Sequence, residues 1–332
     1  MLLKNKTVLV TGGAGFIGSN LVKRLAKEGA IVSVIDNLWR GNLENLMVEG
    51  KPVIDLESRF ILKDLTDFGP TLEVVRDFDY VYHLADIVAG IAFTFENEHY
   101  IFRQNMLINS NVIQACLING IKNLIYVGTA CSYPKSLQMQ EGIVRLVEDQ
   151  VYPAEPESGY GWSKLMGEYE CELAKKSGMN VGILRFHNVY GPGVSFDVKR
   201  SQVIPALILK VINAPEKPFV VWGSGNQYRD FVYIDDVVES LLLVAEKGMN
   251  QGAIQIGSEE AVSIRDLALM LVEMRGKDVQ PEFDLSKPEG DRGRIADCGK
   301  ARQILGWQSK VKIQEGLKRT YQWIEKELNA KH

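Results

Sequence analysis

A chain of 332 residues with a net charge of −4 and 46% hydrophobic residues can bury a sizeable core, and it lacks the basic excess of a phosphate-backbone binder. No apolar stretch is long enough to span a bilayer, and the apolar run at 7–10 leads straight into glycines, so it reads as a buried strand and not a signal peptide. The four cysteines, Cys116, Cys131, Cys171 and Cys298, match no zinc-ribbon or redox-pair spacing, which points to a reduced, cytoplasmic protein with no metal site, while the charge balance and the missing apolar span point to no nucleic-acid partner and no membrane partner.

The first half alternates. A strand is expected over 7–10, a helix over 16–27 stopped by Gly29, and a strand over 31–35. Further strands are expected at 80–84, 123–127 and 181–184, with helices near 71–75, 105–119 and 163–176 between them. Such alternation implies a parallel sheet with helices on both faces, a doubly wound α/β fold. The rhythm breaks after 185. Glycine and proline cluster at 191–193, 205 and 215–218, marking a smaller substructure. Residues 231–233 and a helix over 235–247 read as a return to the main sheet, followed by helices at 264–275 and 313–328 with a charged loop at 286–294 between them. The expected division is a dinucleotide-binding domain of residues 1–185 plus 228–255 and a substrate domain of 186–227 plus 256–332. No internal repeat is visible.

Thr11-Gly12-Gly13-Ala14-Gly15-Phe16-Ile17-Gly18 follows the first strand and opens the first helix. Glycines at 12, 15 and 18 permit a tight turn, let backbone approach a pyrophosphate, and let helix and strand pack closely. The helix N-terminus then presents its positive dipole end to the phosphates. Asp36 closes the second strand, where a carboxylate would bond the adenosine ribose hydroxyls and repel a 2′-phosphate, so NAD is favoured over NADP. Arg40 could serve a 2′-phosphate, but Asp36 is the better defined position. Gly12, Gly15, Phe16, Ile17, Gly18, Asp36, Asn37, Asp64, Leu65, Leu84 and Ala85, with Tyr160 and Lys164, form the expected cofactor set.

Tyr160 and Lys164 stand four apart at the start of a helix and so share a face. Alone, such a pair is usually a surface contact. Behind a glycine-loop half it reads as an acid–base pair, in which the ammonium lowers the phenol pKa and the phenolate takes a hydroxyl proton. Thr129 ends a preceding strand and could hold the same hydroxyl.

Together the glycine loop, Asp36, Thr129 and the Tyr160–Lys164 pair resemble the extended short-chain dehydrogenase/reductase superfamily over essentially the whole chain. Segments 85–91 (Ala-Asp-Ile-Val-Ala-Gly-Ile), 130–134 (Ala-Cys-Ser-Tyr-Pro), 185–192 (Arg-Phe-His-Asn-Val-Tyr-Gly-Pro) and 288–294 (Pro-Glu-Gly-Asp-Arg-Gly-Arg) are similar to GDP-mannose 3,5-epimerases, and the first three, less closely, to GDP-fucose synthases. The resemblance implies an enzyme acting on a nucleotide-sugar. Thr129, Tyr160 and Lys164 would oxidise the sugar at C4. Cys131 would be acid or base at the carbons beside the resulting ketone; its other reading is a small buried hydrophobe. Those families carry a second acid/base, Lys or His, where Gln202 or Val203 stands here, and Lys199 is out of register. Neither Gln202 nor Val203 exchanges protons, which leaves inversion at one carbon, or at C4 itself, open. The Asp-Glu pair of the superfamily's 4,6-dehydratases is Ala130-Cys131 here, which weakens dehydration. Asn188, Trp222, Gln227, Arg229, Arg292 and Arg294 would meet the nucleotide diphosphate and sugar, with a GDP-sugar favoured and a UDP-sugar possible. A homodimer is expected from the superfamily's pairing of helices 105–119 and 163–176.

Overall fold

The computed structural model describes residues 2–88, 90–139, 142–196, 201–214, 216–276, 278–287 and 292–330, with the backbone alone at 91 and 92. Ala89, Lys199, Pro215 and the segment 288–291, all named above, lie outside the described residues.

Seven parallel strands form the main sheet, in the order Ala253–Ile256, Asn180–Phe186, Asn123–Thr129, Tyr80–His83, Thr7–Thr11, Ile31–Asp36, Phe60–Leu62. The chain moves outward from Thr7–Thr11 to Phe60–Leu62, then crosses back to Tyr80–His83 on the other side. Strand order reverses between Thr7–Thr11 and Tyr80–His83, and a ligand crevice opens at the carboxyl ends of strands at such a switch.

Apart from the edge strand Phe60–Leu62, the strands are buried on both faces. Val8 and Val10 point into one core with Leu21, Val22 and Leu25 of the helix Phe16–Lys27 and Val237 and Leu241 of the helix Ile234–Lys247. Leu9 points into the other, with Val112 of Glu98–Ile118 and Cys171 of Gly159–Lys176. The period of two along the strand feeds two cores at once, which is why the sequence shows continuous apolar runs and no alternation. The fold is the expected doubly wound α/β.

The second substructure is built on a three-stranded sheet, Asn188–Tyr190, Tyr228–Tyr233 and Ala261–Ser263, covered by the helices Val203–Ile212, Ile264–Arg275 and Ile313–Asn329. One expectation is corrected here. Residues 231–233 do not return to the main sheet; they run beside Asn188–Tyr190, and the strand that returns is Ala253–Ile256. The buried Asp230 carboxylate explains the placement. It accepts from Ser258 N–H (2.5 Å), Ser258 Oγ (2.8 Å), Glu259 N–H (3.1 Å) and Ala296 N–H (2.9 Å), which ties the strand to the small substructure. The helix that follows it does pack on the main sheet. Among the described residues no helix is long and apolar enough to cross a membrane.

Candidate active site

A cavity of about 1090 Å³ opens at the strand-order reversal and runs into the small substructure. Its wall holds every residue expected to meet cofactor or substrate except Arg292, which is exposed and lies off the wall.

At one end is the glycine turn. Gly12 has φ +67°, and a Cβ there would stand 2.8 Å from Ala85 N. A Cβ on Gly18 would stand 2.2 Å from the Gly12 carbonyl oxygen, so helix and turn touch through backbone alone. Gly15 caps the helix Phe16–Lys27 without a side chain, which leaves the first N–H groups aimed at the cavity for a pyrophosphate. The Asp36 carboxylate accepts from Ala14 N–H (3.0 Å) and Leu38 N–H (2.8 Å). Burial pushes its pKa up, and those backbone donors oppose the rise. Asn37 donates to Asp64 (3.3 Å) beside it. Arg40 donates to the Val88 carbonyl and so is turned toward the loop after Tyr80–His83. A close-approach turn, bare helix N–H groups and a fixed carboxylate at a strand end together suit an adenine dinucleotide.

Deeper in the wall, Ser158 caps the helix Gly159–Lys176 by accepting from Gly161 N–H (3.3 Å), and Glu98 accepts from Gly159 N–H (2.7 Å). This places Tyr160 and Lys164 on consecutive turns facing the end of the strand Asn123–Thr129. Tyr160 is hydrogen-bonded to Thr129, whose hydroxyl also accepts from Cys131 N–H (3.2 Å). The Lys164 ammonium lies 3.0 Å from Asp86 Oδ2 in a buried ion pair. The Tyr160 phenol is pushed well above its usual range by burial, then by the charges of Asp86 and Cys131, with the Thr129 hydrogen bond pulling the other way. Cys131 is half-buried, and its thiol lies 3.6 Å from Nη2 of the buried Arg294, so it lines the cavity beside a cation and is no core hydrophobe.

The family model for the NAD-dependent epimerase/dehydratase family matches residues 8–257. The chain belongs to this family. As a member it is an enzyme, and its cofactor is NAD. A GDP-mannose 3,5-epimerase of Arabidopsis thaliana is 34% identical over 329 residues, covering 98% of this chain and 84% of the relative. Among solved structures, the UDP-glucose 4-epimerase of Thermotoga maritima with UDP-glucose superposes with a TM-score of 0.86 at 29% identity, covering 97% and 99% of the two chains. The UDP-glucose 4-epimerase of Thermus thermophilus in complex with NAD has a TM-score of 0.81 at 28% identity, covering 96% and 99%.

The far end of this family member's cavity carries the expected substrate set. Asn188 donates to the Asp230 carbonyl (2.9 Å), and Arg229 to the Tyr228 carbonyl (2.8 Å). Gln227 is buried, with Oε1 unpartnered by protein. Trp222 is 42% exposed, with Lys210 and Lys287 ammonium groups 5.5 and 5.9 Å from its ring centre. Gln202 stands at the N-cap position of the helix Val203–Ile212 without a side-chain cap bond, and both Gln202 and Val203 reach the cavity wall.

Asp86 and His187 are among the wall residues that escaped the sequence reading; the Nε2 of His187 meets Gln255 Oε1 at 3.2 Å. The Gln255 amide nitrogen donates to the Leu146 and Asp297 carbonyls, so its oxygen must accept, and His187 must carry its proton on Nε2. Burial keeps the imidazole neutral; the Asp230 charge opposes this and the Arg294 charge adds to it. Both residues sit in quoted segments, but their roles depend on partners far along the chain, Lys164 in a helix and Gln255 in a strand.

Proposed function

We propose that this enzyme epimerises a nucleotide-sugar through a transient 4-keto sugar, on a GDP-sugar by preference. The observation that carries the reading is the convergence of Thr129, Tyr160 and Lys164 with Cys131 and Arg294 on one cavity wall. When bound, NAD supplies the redox chemistry by accepting the C4 hydride and returning it. Thr129 and Tyr160 orient the C4 hydroxyl, and Tyr160 as phenolate takes its proton. The resulting ketone makes the C3 and C5 protons acidic. Cys131 is the group placed to exchange one of them, with the Arg294 guanidinium beside the thiol. Arg229 and Arg294 together would hold the diphosphate end. The 34% identity to the Arabidopsis GDP-mannose 3,5-epimerase supports the guanine nucleotide, and the likeness to UDP-glucose 4-epimerases keeps UDP as the alternative.

Gln202 and Val203 favour a second reading, inversion at C4 alone. Neither side chain returns a proton to a carbon, so Cys131 lacks an opposed partner at that position. Product analysis separates the readings. Purified enzyme is incubated with GDP- and UDP-hexoses without added cofactor, and products are resolved by NMR. A new GDP-hexose diastereomer at C3 or C5 supports the first reading, a C4 epimer the second, and no isomerisation of any sugar refutes both.

We also propose a homodimer. Tyr100 and Phe102 on Glu98–Ile118, with Tyr169 and Leu173 on Gly159–Lys176, are exposed apolar side chains on neighbouring helices. Sedimentation of a single species at monomer mass would refute this. The NAD-binding unit is proposed as residues 1–185 plus the part of 228–255 that follows the strand Tyr228–Tyr233.

A further inference from the structure

Asp86 lies at the point where the strand Tyr80–His83 gives way to the cavity loop. Its carboxylate and the Lys164 ammonium are 3.0 Å apart, and each side chain is 4% exposed. Such a pair could merely anchor the loop, but the loop is already held on both sides of Asp86 by neutral groups. The Thr11 hydroxyl accepts from Leu84 N–H (3.2 Å) and Ala85 N–H (3.1 Å). The Asn105 amide accepts from Ile87 N–H (2.7 Å) and donates to the Ile87 carbonyl (3.2 Å). The backbone therefore does not need the charge. Lys164 does. The Tyr126 ring lies 4.7 Å from the ammonium and carries no charge to balance it. His83 is held neutral by burial and by the Lys164 charge, with Nδ1 on Thr11 (2.7 Å) and Nε2 on Asn109 (3.0 Å), so it offers no counter-charge.

We propose that Asp86 is a positioning residue: it fixes the Lys164 ammonium and cancels much of its pull on the Tyr160 proton. Facing that phenol are Asp86 just after the strand Tyr80–His83, Thr129 and Cys131 at the end of Asn123–Thr129, and Tyr126 of that strand, with Lys164 one turn along its own helix and Glu98 at the helix start. Asp86 is the acid among them that is paired with the lysine. The consequence is chemical. An enzyme that removes a hydroxyl proton and later returns it needs Tyr160 to be neither a permanent phenolate nor a permanent phenol. A lysine alone drives it toward phenolate; a lysine neutralised by an acid does not. The proposal rests on Tyr160 as the proton-transferring group.

The test reads the phenol directly. NAD-loaded protein is labelled with 3,5-difluorotyrosine, a more acidic phenol, so that the titration falls where the protein is folded. Tyr160 is assigned with Tyr160→Phe, and its 19F shift is followed with pH. In Asp86→Asn the Tyr160 midpoint should fall by about one pH unit or more, because an opposing charge is gone. An equal or higher midpoint, or a phenol protonated throughout in both proteins, overturns the proposal. Should Asp86→Asn fail to fold, the double variant Lys164→Met/Asp86→Asn leaves no unpaired charge. Cancellation predicts a midpoint within about half a unit of wild type. A midpoint raised by about a unit or more, as for loss of an unopposed lysine, overturns it. These outcomes do not involve turnover, whereas turnover of Tyr160→Phe tests the underlying reading separately.

Discussion

Substituting Gly18 by alanine is the sharpest steric test of the cofactor end. A Cβ at that position would lie 2.2 Å from the Gly12 carbonyl oxygen, 2.8 Å from Gly13 Cα and 2.9 Å from the Gly12 carbonyl carbon. All three neighbours are backbone, and the glycine turn and the helix Phe16–Lys27 are the two parts that must separate. Restoring ordinary contact requires an opening of about 1 Å. Overpacking of this kind costs about 1–3 kcal/mol of stability. Misplacing reacting groups by about 1 Å costs roughly 100-fold in rate, or about 2.7 kcal/mol, and we take the same scale for the backbone groups that grip the pyrophosphate. Isothermal titration with NAD should therefore show affinity reduced by about two orders of magnitude, with a lowered melting temperature. Gly69 serves as control, since the nearest atom to its added Cβ is Asp67 Oδ1 at 3.8 Å and its helix, Phe68–Val74, lies away from the cavity. Gly69→Ala should keep NAD affinity unchanged. Wild-type affinity in Gly18→Ala would refute the account of how the turn meets the pyrophosphate.

Asp36→Ala should weaken NAD more than NADP, and an equal loss for both would undo the role given to that carboxylate. Glu168→Gln should cost about 3–5 kcal/mol in denaturant unfolding, because it leaves the buried Arg185 guanidinium without the carboxylate it meets at 2.7 Å; a loss under about 1 kcal/mol would contradict a buried pair. His83 is held neutral, its pKa lowered to about 3 by burial and by Lys164. The unfolded chain binds that proton below about pH 6.5 and the native form does not, so stability falls as pH drops below 6.5. Between pH 6.5 and 5 the His83 share is about 2 kcal/mol, and it should be missing from the pH slope of His83→Gln; an identical slope in both proteins would remove the assignment.

Much of this molecule is legible in its sequence. The glycine turn, Asp36, and the Tyr160–Lys164 pair are local patterns whose chemistry depends on spacing along one strand or helix, so they transfer directly to structure. Strands such as Thr7–Thr11 and Asn123–Thr129 are legible because burial on both faces forces apolar runs. Ala253–Ile256 and Phe60–Leu62 are too short to stand out, and only their neighbours' open edges place them. Tyr228–Tyr233 misleads for a different reason. It has the composition of a main-sheet strand, and its position is decided by the Asp230 carboxylate, whose partners lie 28 to 66 residues away. The Lys164–Asp86 pair is invisible in the same sense. Tyr160-x-x-x-Lys164 predicts a lysine free to act on the phenol, and nothing in that spacing announces an acid brought from another strand. The nearness of Arg294 to Cys131, 163 residues apart, is likewise tertiary information.

The most direct test of the proposed chemistry is proton NMR in deuterated water with the preferred nucleotide-sugar, run on wild type, Cys131→Ala and Tyr160→Phe. Deuterium should enter C3 or C5 with wild type, fail to enter with Cys131→Ala, and fail with Tyr160→Phe even though NAD stays bound, because no ketone forms. An isomer without deuterium in wild type, or full exchange in Cys131→Ala, would contradict carbon-acid chemistry at Cys131 and leave inversion at C4 as the reaction.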